Sequence, residues 1–289
     1  MKKHLISLIC LMFSGFSGSS LFSQGIDIGS RNSNRLFIGI NLSPTKSAFD
    51  NVLYTQSITP ETNPKKSSFF SLEAGYFMTR NLGISTGIGY KTFSIEYALA
   101  SYNASVSAID ADNDPYERRI SGKDILEKQD ISMLCIPILL NFRIPFNQKA
   151  GFRLQSGLNI SIPASKKFSS SGTFSYSGYY EKYKILITDV PFENFTSNIT
   201  ADSDGDLELS SMIPELNLSG GLYFRFQNKI ELSAGFLYSK ILSNISAYKS
   251  SNDFILSKNP DELFSLMNFS KKLTAQATGF SVGVRYYIK

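Results

Sequence analysis

The stretch Gly279-Phe280-Ser281-Val282-Gly283-Val284-Arg285-Tyr286-Tyr287-Ile288 decides the fold. Its even positions are all apolar, and its odd positions are Gly, Ser, Gly, Arg and Tyr. Successive side chains of a β-strand point to opposite faces, so this strand has one greasy face and one small or polar face.

The same period of two recurs in seven further segments. Leu36, Ile38, Ile40 and Leu42 form one apolar set, and Phe70, Leu72, Ala74, Tyr76 and Met78 the next. Then come Leu82 to Tyr90, Leu134 to Ile144, Phe152 to Ile162, Leu216 to Phe226 and Ile230 to Tyr238. Hairpin turns test the pattern independently, because facing residues share an index sum and point the same way. A turn centred on Asn228 pairs Phe226 with Ile230 and Phe224 with Leu232. One centred on Gln148 pairs Ile144 with Phe152 and Phe142 with Leu154. One centred on Arg80 pairs Tyr76 with Ile84 and Leu72 with Ile88. All three keep apolar faces together.

Connections alternate between these short turns and long segments near Ser43–Ser67, Ala98–Asp130, Ala164–Ser211 and Leu242–Lys272. Short turns at one end and long loops at the other are the pattern of an outer-membrane barrel, with the short side periplasmic. The expected fold is all-β: an eight-stranded antiparallel up-and-down transmembrane β-barrel over residues 35–289, with four long extracellular loops. Ten strands are the alternative, with Gly172–Thr188 inserted as a hairpin. A soluble lipocalin-like ligand carrier would instead point its apolar face inward.

Glycine placement favours apolar outside. Gly39, Gly75, Gly83, Gly87, Gly89, Gly157, Gly221, Gly235, Gly279 and Gly283 share the polar parity, and Gly220 is the exception. The interior of an eight-stranded barrel is just wide enough for side chains, and small neighbours make room for large charged ones. The expected lumen charges are Glu73, Lys91, Arg143, Arg153, Arg225, Glu231 and Arg285. Arg225 and Glu231 share the Asn228 index sum and can pair, whereas Arg143 and Arg153 oppose each other and call for acids from across the lumen. Such charges either plug the periplasmic half or merely solvate a polar interior.

The start, Met1-Lys2-Lys3-His4 followed by Leu5 to Phe13, is basic and then apolar, and Ser17 to Ser23 is rich in small residues. It predicts a signal peptide over residues 1–23, cleaved after Ser23, then a periplasmic segment over 24–34. Removing Lys2 and Lys3 lowers the formal charge from +5 to +3, too little to suggest a nucleic-acid partner. The mature chain keeps Cys135 as its one cysteine and has no histidine, so a disulfide within it and Ser–His chemistry are both excluded. No enzyme activity and no cofactor are expected. The run Asp202-Ser203-Asp204-Gly205-Asp206-Leu207-Glu208 has carboxylates spaced like a calcium loop, but its glycine arrives too early for the EF-hand pattern. Asp202, Asp204 and Asp206 are therefore weak metal candidates beside the reading of a solvated loop tip. Tyr176, Tyr179, Tyr180 and Tyr183 suit either a partner or a strand extension above the bilayer.

The run Ile136-Pro137-Ile138-Leu139-Leu140-Asn141-Phe142-Arg143, the segment Arg80 to Tyr90 and the ending Gly283-Val284-Arg285-Tyr286-Tyr287 resemble the PorT-type family of small outer-membrane β-barrels. The resemblance covers the barrel strands and not the long loops. It implies an eight-stranded barrel; with the signal peptide, the expected place is the cell outer membrane, reached by export and signal cleavage. Its named member works in a protein-secretion pathway coupled to gliding. The expected partners are outer-membrane lipid and an envelope or secretion-system protein bound by the loops. A passive structural barrel and a narrow solute channel are the other readings.

Overall fold

A computed structural model describes residues 35–53, 60–227, 229–248 and 255–288. The expected signal peptide, its cleavage site, the 24–34 segment and Asn228 lie outside the described residues. The described strands are β1 (Leu36–Leu53), β2 (Glu61–Pro64), β3 (Lys66–Phe77), β4 (Leu82–Ile109), β5 (Pro115–Pro145), β6 (Ala150–Tyr180), β7 (Ile185–Ile187), β8 (Ile199–Asp206), β9 (Ile213–Phe226), β10 (Ile230–Ile241) and β11 (Ser270–Ile288).

Eight of them form a closed antiparallel ring in the order β1, β3, β4, β5, β6, β9, β10, β11 and back to β1. Closure pairs every backbone edge, which is what a lipid-facing sheet requires. β2 lies beside β4, while β7 and β8 lie beside β6, all outside the ring. The ten-strand alternative therefore gives way to eight. Gly172 to Tyr180 continues β6, and β7 folds back along it without entering the barrel.

The turn registers are those the index sums require: Phe226 faces Ile230, Phe142 faces Leu154, and Tyr76 faces Ile84. Side chains close two of these turns. Thr79 Oγ1 accepts from the amide of Leu82 at 2.9 Å, and Asn147 Oδ1 accepts from the amides of Lys149 and Ala150 at 2.8 Å each.

Phe280, Val282 and Val284 face outward at 62%, 50% and 47% exposure, while Arg285 between them and Tyr286 is fully buried. Outward apolar residues on all eight ring strands make a continuous girdle. On β4 it runs from Leu82 to Tyr90, roughly 20 Å along the barrel axis at ~3.4 Å per residue and the usual tilt. A girdle of this extent is far larger than the apolar patches soluble proteins tolerate. The chain is a transmembrane β-barrel.

Beyond the girdle the polarity inverts. On β4 the inward positions change from Gly87, Gly89 and Lys91 to Phe93, Ile95, Tyr97 and Leu99, all buried. On β11 the inward residues there are Leu273, Ala275 and Ala277, and on β10 they are Leu237 and Ile241. The strands continue past the bilayer as a sheet whose apolar face now points inward.

This inversion corrects the loop boundaries. The segment 98–130 is mostly strand, because β4 reaches Ile109, β5 starts at Pro115, and only the turn 110–114 separates them. β6 likewise continues through Tyr176, Tyr179 and Tyr180, with Tyr183 in the turn that follows. A reading keyed to apolar residues on the outer parity stops where lipid stops. The described part of the segment between β10 and β11 is mainly irregular and folds inward.

Candidate functional site

The candidate site is the barrel interior, which three layers of side chains fill. The layer nearest the short turns is ionic. Arg285 Nε donates to Glu73 Oε1 at 2.7 Å, and its Nη2 donates to Asn141 Oδ1 at 2.7 Å. Gln155 Nε2 donates to Glu73 Oε2 at 3.2 Å. Gly87 stands opposite Glu73, where a Cβ would lie 1.9 Å from the Leu72 carbonyl oxygen and 2.9 Å from the Glu73 Cα, so the glycine lets the two strands approach closely.

Glu231 is the second acid of this layer. Arg225, which faces it across the hairpin, lies 3.0 Å away, with Arg153 at 3.5 Å and Arg143 at 3.6 Å. Tyr287 Oη donates to Glu231 Oε2 at 2.9 Å, and Arg143 in turn donates to Tyr287 Oη. Arg285 joins the two acids, with Nη1 3.9 Å from Glu231. Four guanidiniums thus meet two carboxylates. Aromatic faces take up part of the surplus: Arg285 lies 4.3 Å from the Phe37 ring centroid, and Arg143 lies 3.4 Å from that of Phe77.

Lys91 stands apart from this cluster. It pairs with Glu215 and donates to Ser239 Oγ at 2.9 Å, farther along the axis. Glu215 escaped the sequence reading because the apolar set on its strand starts one residue later, at Leu216. Its parity, shared with Asn217 and Ser219, is the signal that finds it. Asn141, Gln155 and Tyr287 sit on the inward parity too, but only assembly shows that they join the cluster. Cys135 lies at the same level as Lys91, buried, with Ser161 Oγ 3.2 Å from its sulfur.

Above Lys91 the filling is apolar. Phe93, Ile131, Met133, Leu237 and Leu273 belong to one cluster. Ile95, Tyr97, Ile120 and Phe174 meet Leu256, Leu263, Leu266 and Phe269 in another. The last four come from the segment between β10 and β11, which fills the cup the other strands form. Glu127 anchors it, accepting from Ser265 Oγ at 2.7 Å and from the Leu266 amide at 2.6 Å. Burial pushes the Glu127 carboxyl above the usual range, against the pull of its hydrogen bonds. Tyr102 Oη accepts from the Leu256 amide at 3.0 Å, and Tyr176 Oη meets Ser257 Oγ at 2.6 Å. Nothing in the local sequence announces this insertion.

The acidic run at 202–208 lies largely on β8, so Asp202, Asp204 and Asp206 alternate along an extended, exposed strand rather than converging. Asp206 pairs with Lys167 at 2.7 Å. Among the described residues no group of three His, Cys, Asp or Glu side chains could hold a metal. The acids Asp110 and Asp114, at the turn between β4 and β5, tie two hairpin tips together. Asp110 accepts from Tyr180 Oη at 3.0 Å, and Asp114 accepts from Lys182 Nζ at 3.1 Å and Tyr183 Oη at 2.9 Å.

No protein-family model and no curated protein matches the chain. Solved structures do. Neisserial surface protein A is similar at 12% identity, over 88% of this chain and 97% of that one, with a TM-score of 0.38. OprG, an outer membrane protein from Pseudomonas aeruginosa, is similar at 11% identity over 88% and 98%, with a TM-score of 0.34. The outer membrane protease OmpT from Escherichia coli is similar at 9% identity over 91% and 100%, with a TM-score of 0.36.

Proposed function

We propose that this chain is a sealed, non-enzymatic outer-membrane barrel that acts through its outer surface. In this reading the short turns face the periplasm and the strand-built extension faces outward. The extension is a rigid platform for an envelope partner, structural or belonging to a secretion system of the PorT type. The observation that carries it is the filled interior: the ionic layer at one end and the seated 255–269 segment at the other. The gap beside Arg153, Gly221 and Gly235 has a volume of only about 10 Å³, room for one water at most. That speaks against a solute channel. The inward apolar cup speaks for a ligand carrier until one sees that the chain's own leucines occupy it.

Planar-bilayer recording tests the reading. The reconstituted barrel is expected to stay silent under voltage, and stepwise conductance would overturn it. The partner half is tested by removing the tip of the β4–β5 hairpin, residues 104–119. The shortened barrel is expected to fold and lose protein that co-purifies with the full chain from outer membranes.

A further inference from the structure

The outward lysines just beyond the girdle fall into two groups. On the β4–β6 side each has an acid: Lys65 lies 3.1 Å from Glu96, Lys128 lies 2.8 Å from Asp130, and Lys167 lies 2.7 Å from Asp206. On the β3–β1–β11–β10 side Lys66, Lys46 and Lys240 are exposed, and among the described residues none has a carboxylate within ion-pair distance.

Their placement is regular. Each stands four residues past a girdle residue of its own strand: Lys46 past Leu42, Lys66 past Phe70, and Lys240 past Phe236. That is roughly 10 Å along the axis at ~3.4 Å per residue and the usual tilt, the depth of lipid headgroups. Lys46 and Lys66 oppose each other directly in the ladder, a pairing that destabilises a sheet unless an anion lies between them. Thr278 faces Lys46 from β11, and Gln276 faces Lys240. The first acid on this face is Asp50, four residues beyond Lys46. Lys240 lies two strands from Lys46 and two residues farther along the ladder, where Tyr238 faces Thr278, a separation of about 12 Å at ~4.8 Å per strand and ~3.4 Å per residue.

We infer that Lys46, Lys66 and Lys240 form a binding site for the phosphates of an outer-leaflet glycolipid headgroup. The paired lysines take one phosphate and Lys240 a second, with Thr278 and Gln276 offering hydrogen bonds between them. Acyl chains of the same lipid lie along the girdle residues below, so lipid contact and phosphate contact are continuous. The acid-matched lysines on the opposite side leave no such charge to satisfy. This inference rests on the outer-membrane reading above.

The test titrates the detergent-folded full-length barrel with bisphosphorylated lipid A, fully dephosphorylated lipid A, phosphatidylglycerol and inorganic phosphate. Bound lipid is counted by native mass spectrometry. The wild type is expected to bind bisphosphorylated lipid A most tightly. Each of K46Q, K66Q and K240Q is expected to weaken it about fivefold, and the triple variant roughly a hundredfold. The control K65Q/K128Q/K167Q is expected to stay within about twofold of wild type. Equal losses in both triple variants, equal binding of dephosphorylated lipid A or phosphatidylglycerol, saturation by inorganic phosphate alone, or no binding by the wild type would each overturn the inference. Insertion into vesicles is scored in parallel by the heat-induced gel shift of a folded barrel. A wild type that fails to insert sinks the membrane reading; one that inserts without binding lipid A sinks only this site.

Discussion

Arg285 shows how much one residue's setting decides. The sequence places it on the small, polar parity of the last strand, and that suffices to aim it inward. Its partners are another matter: Glu73 is 212 positions away in the chain and Asn141 is 144 away. Replacing Arg285 with Met leaves Glu73 buried without its nearest cation, a change that costs about 3–5 kcal/mol when a buried pair is broken from one side. Urea unfolding in vesicles is expected to show that loss for R285M. The double variant E73Q/R285M is expected to recover much of it, since no lone charge remains. Equal stability of wild type and R285M would show that the ionic layer contributes nothing to the fold. Gly87 belongs to the same lesson. Its parity is legible in the sequence, but its task of letting the β3 backbone approach beside Glu73 appears only in the ladder.

Along a strand, the alternation is constant and its meaning is not. Through Tyr90 the outward set of β4 is apolar, and from Phe93 the inward set is. The backbone keeps its register while the solvent outside changes from lipid to water. The two halves answer to different substitutions. Ile138 is 57% exposed in the girdle, and I138R is expected to cost about 2–4 kcal/mol in lipid, as a charge near the midplane does. Unchanged urea stability in vesicles would contradict the girdle. The seated segment carries a pH dependence. Burial raises the folded-state Glu127 carboxyl above its ordinary value of 4.5, so its contribution is largest below that value and falls as pH rises through the raised one. Hydrogen exchange at the Leu266 amide, corrected for its intrinsic rate, is expected to show stronger protection in acid than at neutral pH. The opposite trend would remove Glu127 from the anchoring role.

At the scale of the whole molecule the proposed sealed barrel is closed twice, by charges within the membrane and by apolar packing beyond it. The closures are separate, so opening one leaves the other. E73A/R285A alone, or replacement of Ser246–Ser270 by a short Gly/Ser turn alone, is expected to leave the barrel electrically silent, and the combined variant is expected to conduct. Conductance after either single change would show that one closure does all the sealing. Eight strands, their registers across three short turns and the outward girdle were legible because a period-two pattern and a constant index sum are local quantities. Tertiary structure alone decided that strands outlast the girdle, that Lys91 pairs with Glu215 rather than the arginine cluster, and that residues 255–269 fill the cup. Each of these depends on which surface lies opposite at a given height of a closed ring, and a linear pattern fixes a side chain's face but not what meets it across the lumen.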